Sequence, residues 1–402
     1  MSSTSYKFLS LALALGCGTA SAQAPIQRLD GTTITAADAE SFARKTLAGN
    51  HVTGAQIAVL NHGKLVWSAA FGLAGKDPDR PMTHDTTTWA ASITKALFAT
   101  YVESLVQQGK FDLDKPIAQQ LPKPLDTYEP YRESASLLVK DPQWQLVTPR
   151  MLLSHSSGLL NFATIEPDKK MRLHFKPGTS FIYSGEGINI VQFVVEQQQG
   201  KPIDQLMQDA FFTPLNMSRT GLTYNQAFAP DVADRFDLDE KFHAQTRRFP
   251  ARAAGSMTTS ADDLARLFTA LLAGKILHPD TLQSMLTPVL QLHQLHQFQF
   301  GSHANDEGDE SKAIGLAYGV GWGLLTHTRF GPAFFKEGHG DGAQNYAICF
   351  QRTQSCIIIL TNSDNGEFAF RPLLEHILGD TVTPWEWEGY TPAYIEDQRQ
   401  HP

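Results

Sequence analysis

The stretch Trp89-Ala90-Ala91-Ser92-Ile93-Thr94-Lys95-Ala96-Leu97-Phe98 decides how the rest of the chain is read. After Ser92, the residues Ile93, Ala96, Leu97, Tyr101 and Leu105 recur at the spacing of a buried helix stripe, and Gly109 ends it. Ser92 therefore stands at a helix start, where unpaired amides and the positive end of the peptide dipole favour a developing anion. Lys95 follows at i+3, so its amine reaches the Ser92 hydroxyl. A serine is a poor nucleophile until a base takes its proton, and a desolvated lysine is such a base in its neutral form. Ser-x-x-Lys arises by chance about once in a chain of this length, and its bland alternative is an N-cap serine followed by a solvated lysine. This is the only Ser-x-x-Lys in the sequence, and it heads a strongly apolar helix where a merely solvated lysine fits poorly.

Outward from this helix, the two ends of the chain read as strands. Gln56 to Leu60, a turn at Asn61-His62-Gly63 and Lys64 to Trp67 make one hairpin. Asn345 to Phe350 and Cys356 to Thr361 make another. Thr35 caps a helix running to about Leu47, with Ala39, Phe42, Ala43 and Leu47 on one stripe. Phe368 to Leu378 is a closing helix if Pro372 lies in its first turn, and is otherwise broken there. From Ile93 to about Leu272 the apolar spacing is mostly helical. The fold class expected is α/β (α+β): an antiparallel sheet flanked by helices, built from both chain ends, with an inserted helical lobe. The α/β lobe takes residues 26–85 plus 256–402, the helical lobe 86–255, and a cleft falls at their junction. Gly301 to Lys312 reads as a mobile polar loop. The tail after Thr383, with Trp385, Trp387, Tyr390 and Tyr394, either packs on the surface or stays loose.

The chain has 402 residues, enough for one large domain or two modest lobes. Its 33 Lys and Arg against 41 Asp and Glu give a net charge of −8 with no basic run, so nucleic acid is not an expected partner. Met1 to Lys7, the apolar Phe8 to Leu15 and the small residues Ala20-Ser21-Ala22 read as a signal peptide cut after Ala22, leaving 23–402 as an exported, periplasmic or secreted domain. The rival cut before Cys17 would leave a lipid anchor, but Leu15 is one place off for it. Later in the chain no stretch reads as a transmembrane helix. Cys349 and Cys356 flank a short turn and are read as buried thiols in a sheet. A bridge is the alternative that opposed strand positions and export allow.

With these residues in view, the sequence resembles the serine β-lactamase and penicillin-binding-protein superfamily. It is most similar to its class C β-lactamase-like branch of esterases, D-aminopeptidases and D-Ala-D-Ala carboxypeptidases. Further landmarks in that order are Leu152-Leu153-Ser154-His155-Ser156-Ser157-Gly158-Leu159, Phe175-Lys176-Pro177-Gly178, Pro214-Leu215-Asn216-Met217 and the run Ala254 to Leu264. The resemblance implies that Ser92 is the nucleophile and Lys95 its base. The family's second motif, Tyr-x-Asn, matches Tyr183-Ser184-Gly185, which implies that Tyr183 shares proton transfer while Gly185 lacks the amide that holds the substrate. Its third motif, Lys-Thr-Gly or His-x-Gly, is matched to Gly338-His339-Gly340-Asp341-Gly342, with His339 and Gly340 fitting and Asp341 replacing a usual glycine. Asp341 then binds a cationic group or narrows the cleft. The same resemblance implies an oxyanion hole from the amides of Ser92 and Gly342.

Other motifs fall away. Gly-x-Ser-x-Gly, His-Glu-x-x-His and the P-loop are absent from the sequence. His293, His296 and His303 lack an acid or cysteine that completes a metal set, and a wet helical face is the reading preferred. The expectation is a monomeric serine hydrolase, without metal or cofactor, acting through an acyl-enzyme on a small-molecule or peptide substrate: an ester, an amide or a D-amino-acid peptide. Gly185 ranks β-lactam turnover below these. The rival from another class is a non-catalytic envelope protein that binds peptidoglycan fragments or a partner.

Overall fold

The structure, a computed structural model, describes residues 24–243, 249–298 and 307–391. One sheet of nine strands organises it. In chain order these are β1 Gly54–Asn61, β2 Lys64–Lys76, β3 Asp79–Pro81, β4 Leu290–Gln291, β5 Leu316–Tyr318, β6 Gly323–Leu325, β7 Ala333–Gly340, β8 Ala343–Phe350 and β9 Ser355–Thr361. Across the sheet the order is β4-β5-β6-β7-β8-β9-β1-β2-β3, with every pair antiparallel. The sheet is thus built from both chain ends, and β9 lies beside β1 with Ile358 opposite Ala58.

The central strands are apolar without break because both faces are covered. Successive side chains point to opposite faces. Ala58, Leu60, Ala347, Cys349, Ile358 and Leu360 join one core with the helices α2 (Ile93–Gln107) and α4 (Ala261–Leu272). Ile57, Val59, Tyr346, Ile348, Ile357 and Ile359 join the other, with α1 (Ala36–Gly49) and α5 (Gly366–Leu373). Thr35 caps α1 through a reciprocal pair with Asp38. The remaining long helix, α3 (Gly185–Gln199), starts at the capping hydroxyl of Ser184 and ends on Gly200 in the left-handed region.

Several expectations change in the structure. The closing helix begins at Gly366, so Pro372 lies inside it rather than in its first turn, and the backbone widens to a π turn over Leu374–Leu378. Cys349 and Cys356 face each other across β8 and β9 with Cα atoms 4.1 Å apart and form a disulfide, which corrects the reading as thiols. The tail is neither loose nor superficial as far as residue 391. Trp385, Trp387 and Tyr390 are buried against Tyr346, Phe335 and Phe370. Tyr394 lies outside the described residues. So do residues 301–306 of the expected loop, whose end forms a helical turn at Asp309–Ala313. Among the described residues no helix is long and apolar enough to cross a membrane.

Candidate active site

Ser92 follows a sharp turn. Ala91 has φ +44°, a left-handed conformation that costs a side-chain-bearing residue energy and persists only where its surroundings enforce it. Here Ala90 N–H donates to Met257 O at 2.9 Å, and the Thr94 hydroxyl donates to Ala91 O while accepting from Met257 N–H. The turn aims the Ser92 hydroxyl away from α2 and into the cleft, and no side-chain cap bond uses it up.

Lys95 projects from the first turn of α2 and is 2% exposed. Its Nζ lies 2.9 Å from Ser92 Oγ and 2.5 Å from Ala254 O. Burial, and then the charge of Lys336, hold its amine well below the usual lysine range, while Glu337 pulls the other way. Tyr183 stands across the site, with the Lys95 amine 4.9 Å from its ring centre. Burial and then Glu337 push the phenol well above its ordinary value.

The strand side of the site is shifted by three residues from the sequence expectation. Lys336, fully buried on β7, donates from Nζ to the Tyr183 hydroxyl at 3.1 Å and pairs with Glu337. Lys336-Glu337-Gly338 is thus a second Lys-x-Gly match, and it is the one that reaches the tyrosine. The signal was present in the sequence, hidden by an acid where threonine is usual. His155 was also missed as a site residue: its ring stacks on Tyr183 at 4.3 Å between centres, and Ser184 N–H donates to its Nδ1. Burial, followed by Lys336 and Lys95, holds that imidazole well below its ordinary value.

His339 pairs its ring with Glu367, with Nδ1 2.6 Å from the carboxylate. Gly340 packs on Trp89, where a Cβ would come within 2.4 Å of the indole, and Gly338 packs on Ala90, where a Cβ would come within 2.3 Å of the carbonyl oxygen. These glycines admit the turn before Ser92 rather than a substrate. Gly342 does not serve as expected, because its N–H donates to Asp364 Oδ1 at 2.6 Å. The amide turned out of the strand ladder beside the Ser92 turn belongs to His339. Opposite it, Gln344 turns its own N–H to Thr361 on the β9 side, so the His339–Gln344 pair exchanges no ladder bond. The His339 N–H therefore points off the edge of β7, past the end of its pairing with β6, where Ala90 adjoins. Asp341 lies at the tip of the β7–β8 turn, and its carbonyl accepts from Arg235.

Gly185 begins α3, and its N–H donates to the Asn161 side-chain oxygen at 2.8 Å. That bond leaves the Asn161 amide hydrogens for the cleft, so an asparagine amide stands in front of the glycine after all, supplied from another loop. Two cavities meet at Ser92, Asn161 and His339. One, of 440 Å³, has an apolar wall of Trp89, Phe162, Phe249 and Pro250. The other, of 540 Å³, contains Tyr183 and a set of carboxylates. No cluster of His, Cys, Asp and Glu suited to a metal occurs among the described residues, and His296 instead bonds the Glu386 carbonyl. His303 lies outside the described residues.

The Beta-lactamase family model matches residues 39–379, most of the chain. The chain belongs to the beta-lactamase family. Esterase EstB of Burkholderia gladioli is 28% identical over 287 residues, 59% of this chain and 70% of the esterase. Three further curated relatives are matched over 56 to 58% of their own length. An octameric penicillin-binding protein homologue from Pyrococcus abyssi superposes with a TM-score of 0.68 at 20% identity, covering 91% of this chain and 81% of that one. The D-amino acid amidase of Ochrobactrum anthropi SV3 superposes with a TM-score of 0.62 at 22% identity, covering 90% and 99%. At these identities the two structures establish the shared fold. The family and these neighbours include hydrolases of esters and amides.

Proposed function

We propose that the protein is a serine hydrolase that forms an acyl-enzyme on Ser92 from a small ester, amide or D-amino-acid peptide. The observation that carries this is Lys95, a buried amine 2.9 Å from the Ser92 hydroxyl and held below its usual range. A neutral amine there takes the serine proton as Ser92 Oγ attacks the carbonyl carbon. The amides of Ser92 and His339 receive the oxyanion. Tyr183, steadied by Lys336 and His155, passes the proton to the leaving atom as its bond to the carbonyl carbon breaks. Water then attacks the acyl-enzyme by the reverse proton path. Asn161 holds the substrate in place of a side chain at Gly185.

Efficient β-lactam turnover ranks below these activities. Export through the leader Met1–Ala22, which lies outside the described residues, and a monomeric state are parts of the same proposal. The test is active-site labelling with a fluorescent phosphonate and, separately, a fluorescent penicillin, with Ser92→Ala as control. Phosphonate labelling that vanishes in Ser92→Ala supports the reading. A parent protein that takes neither label is a non-catalytic binder, and the reading fails.

A further inference from the structure

The two cavities that meet at Ser92 differ in chemistry, and only one contains the proton carrier. Tyr183 lines the 540 Å³ cavity and not its apolar neighbour. A leaving atom must receive its proton from the group beside it, so the leaving group occupies the Tyr183 side and the acyl group the apolar side.

The Tyr183 cavity is walled by Glu337, Asp341, Asp364, Glu367 and Glu388. Their partners on the protein are few. Glu367 holds the His339 ring, Asp364 accepts from Gly342 N–H and Gln344, and Glu337 Oε1 accepts from Lys336 and Gln297. Glu388 Oε1 accepts from the Tyr346 hydroxyl. The second oxygens of Glu337 and Glu388 have no partner, although these side chains are 2% and 4% exposed. Buried carboxylate oxygens left unpaired are costly, and positive charge in the cavity that these residues line would offset that cost. Lys336 does not fill that role, since its amine is committed to Glu337 Oε1 and Tyr183.

We infer that this cavity is a leaving-group site selective for positive charge: the protein cleaves esters or amides whose alcohol, thiol or amine portion carries a cationic centre. This rests on the acyl-enzyme reading above. The corollary is exclusion of leaving groups that carry a carboxylate, as penicillins and D-Ala-ending peptides do, because that anion would face the wall of acids. Burial, and then Glu337, push the Glu388 carboxyl well above its ordinary value while Lys336 pulls the other way, so a cation beside it would favour loss of its proton.

The test uses three butanoyl thioesters that share an acyl group and differ in the thiol released: thiocholine, 2-mercaptoethanol and 3-mercaptopropionate. Release is followed with a thiol reagent. In each, the carbonyl–sulfur bond breaks, the acyl group passes to Ser92, and the thiol leaves with the proton. The expected result is a kcat/KM about tenfold higher for the thiocholine ester than for the neutral one, and lower again for the anionic one, with the spread shrinking in high salt. Glu388→Gln and Asp341→Asn, checked for folding by thermal melts, should each reduce the cation-to-neutral ratio several-fold. Equal rates, or a preference for the anion, overturn the inference while leaving Ser92 as nucleophile. Turnover that persists in Ser92→Ala overturns the nucleophile instead. Choline alone, titrated calorimetrically into the parent and Glu388→Gln proteins, tests the cavity without turnover. Binding weakened in the variant supports the inference, and no binding to the parent overturns it.

Discussion

The Nζ atom of Lys336 lies 3.1 Å from the Tyr183 hydroxyl, and the amines of Lys336 and Lys95 each lie 4.9 Å from the centre of that one ring. Two ammonium groups this close and this buried repel strongly. Glu337 pairs with Lys336 and supports its charge, while burial first and the Lys336 charge second hold the Lys95 amine well below the usual lysine range. In the proposed mechanism the base is thus prepared in part by a residue that never touches the nucleophile.

Lys336→Met should therefore slow ester hydrolysis by about a hundredfold. Removing its charge also lets the Lys95 pKa rise, so the acid limb of the kcat/KM profile should move to higher pH. A pH–rate series on a neutral ester reads both effects. A slowed enzyme with an unmoved acid limb would show that Lys336 acts on Tyr183 alone.

Lys95→Met should abolish hydrolysis and yet raise stability at neutral pH by about 1 kcal/mol or more, because a buried amine gives way to an apolar chain. The sign follows from linkage. The folded-state pKa of Lys95 lies below its unfolded value, so the unfolded chain binds more protons between the two, and stability rises with pH across that window. Chemical denaturation of parent and variant across neutral to alkaline pH should show the gap closing as pH rises.

Gly338→Ala places a methyl carbon 2.3 Å from the Ala90 carbonyl oxygen. Something must shift, and the turn carrying Ala91 and Ser92 is what lies there. The variant should lose about 1–3 kcal/mol of stability and most of its activity. The same substitution at Gly109, at an open surface helix end, should leave activity intact and cost stability only through its positive φ.

The disulfide between Cys349 and Cys356 closes a short loop with both residues fully buried. Reductant should leave the native enzyme active at ambient temperature, since no thiolate reaches the sulfurs without unfolding. Replacing both residues with alanine should cost about 2–3 kcal/mol, measured by urea denaturation.

Partial loss of solvent around the His339 imidazole depresses its pKa, but Glu367, joined by Asp364 and Glu337, outweighs it and pushes the pKa up to about 9. A raised folded-state value stabilises the fold fully below the unfolded pKa of about 6.5 and is lost as pH climbs through the folded one. The ring is more than half exposed, so the stability effect is small and the titration is the better observable. Glu367→Gln should return the His339 resonance, followed by NMR, toward the ordinary histidine range.

Helix α2, the capped α1 and both long hairpins were legible because each carries a period that burial on one or two faces imposes. The strand motif was misplaced for a physical reason. An adjacent Lys336 and Glu337 give no local sign of burial, and only in the fold do they neutralise each other inside the sheet. His339, alone among glycines, drew attention that its backbone amide merits and its ring does not. Asn161 was invisible because nothing local ties it to Gly185, which lies 24 residues away and meets it only through tertiary packing. The tail aromatics were ambiguous for the same reason: their partners Phe335, Tyr346 and Phe370 lie on other elements.

The sheet order has a consequence for synthesis. Ser92, Lys95 and Tyr183 leave the ribosome early, but the strand bearing Lys336 and His339 pairs with β8, β8 with β9, and β9 with the early strand β1. On the proposed mechanism, a nascent chain holds a serine whose base still carries its proton, since neither burial nor the second amine has yet acted on it. Under that reading, reactivity switches on only when the last sixth or so of the protein docks. Such long-range closure folds slowly, and on the proposed mechanism it keeps the serine silent until the sheet has closed.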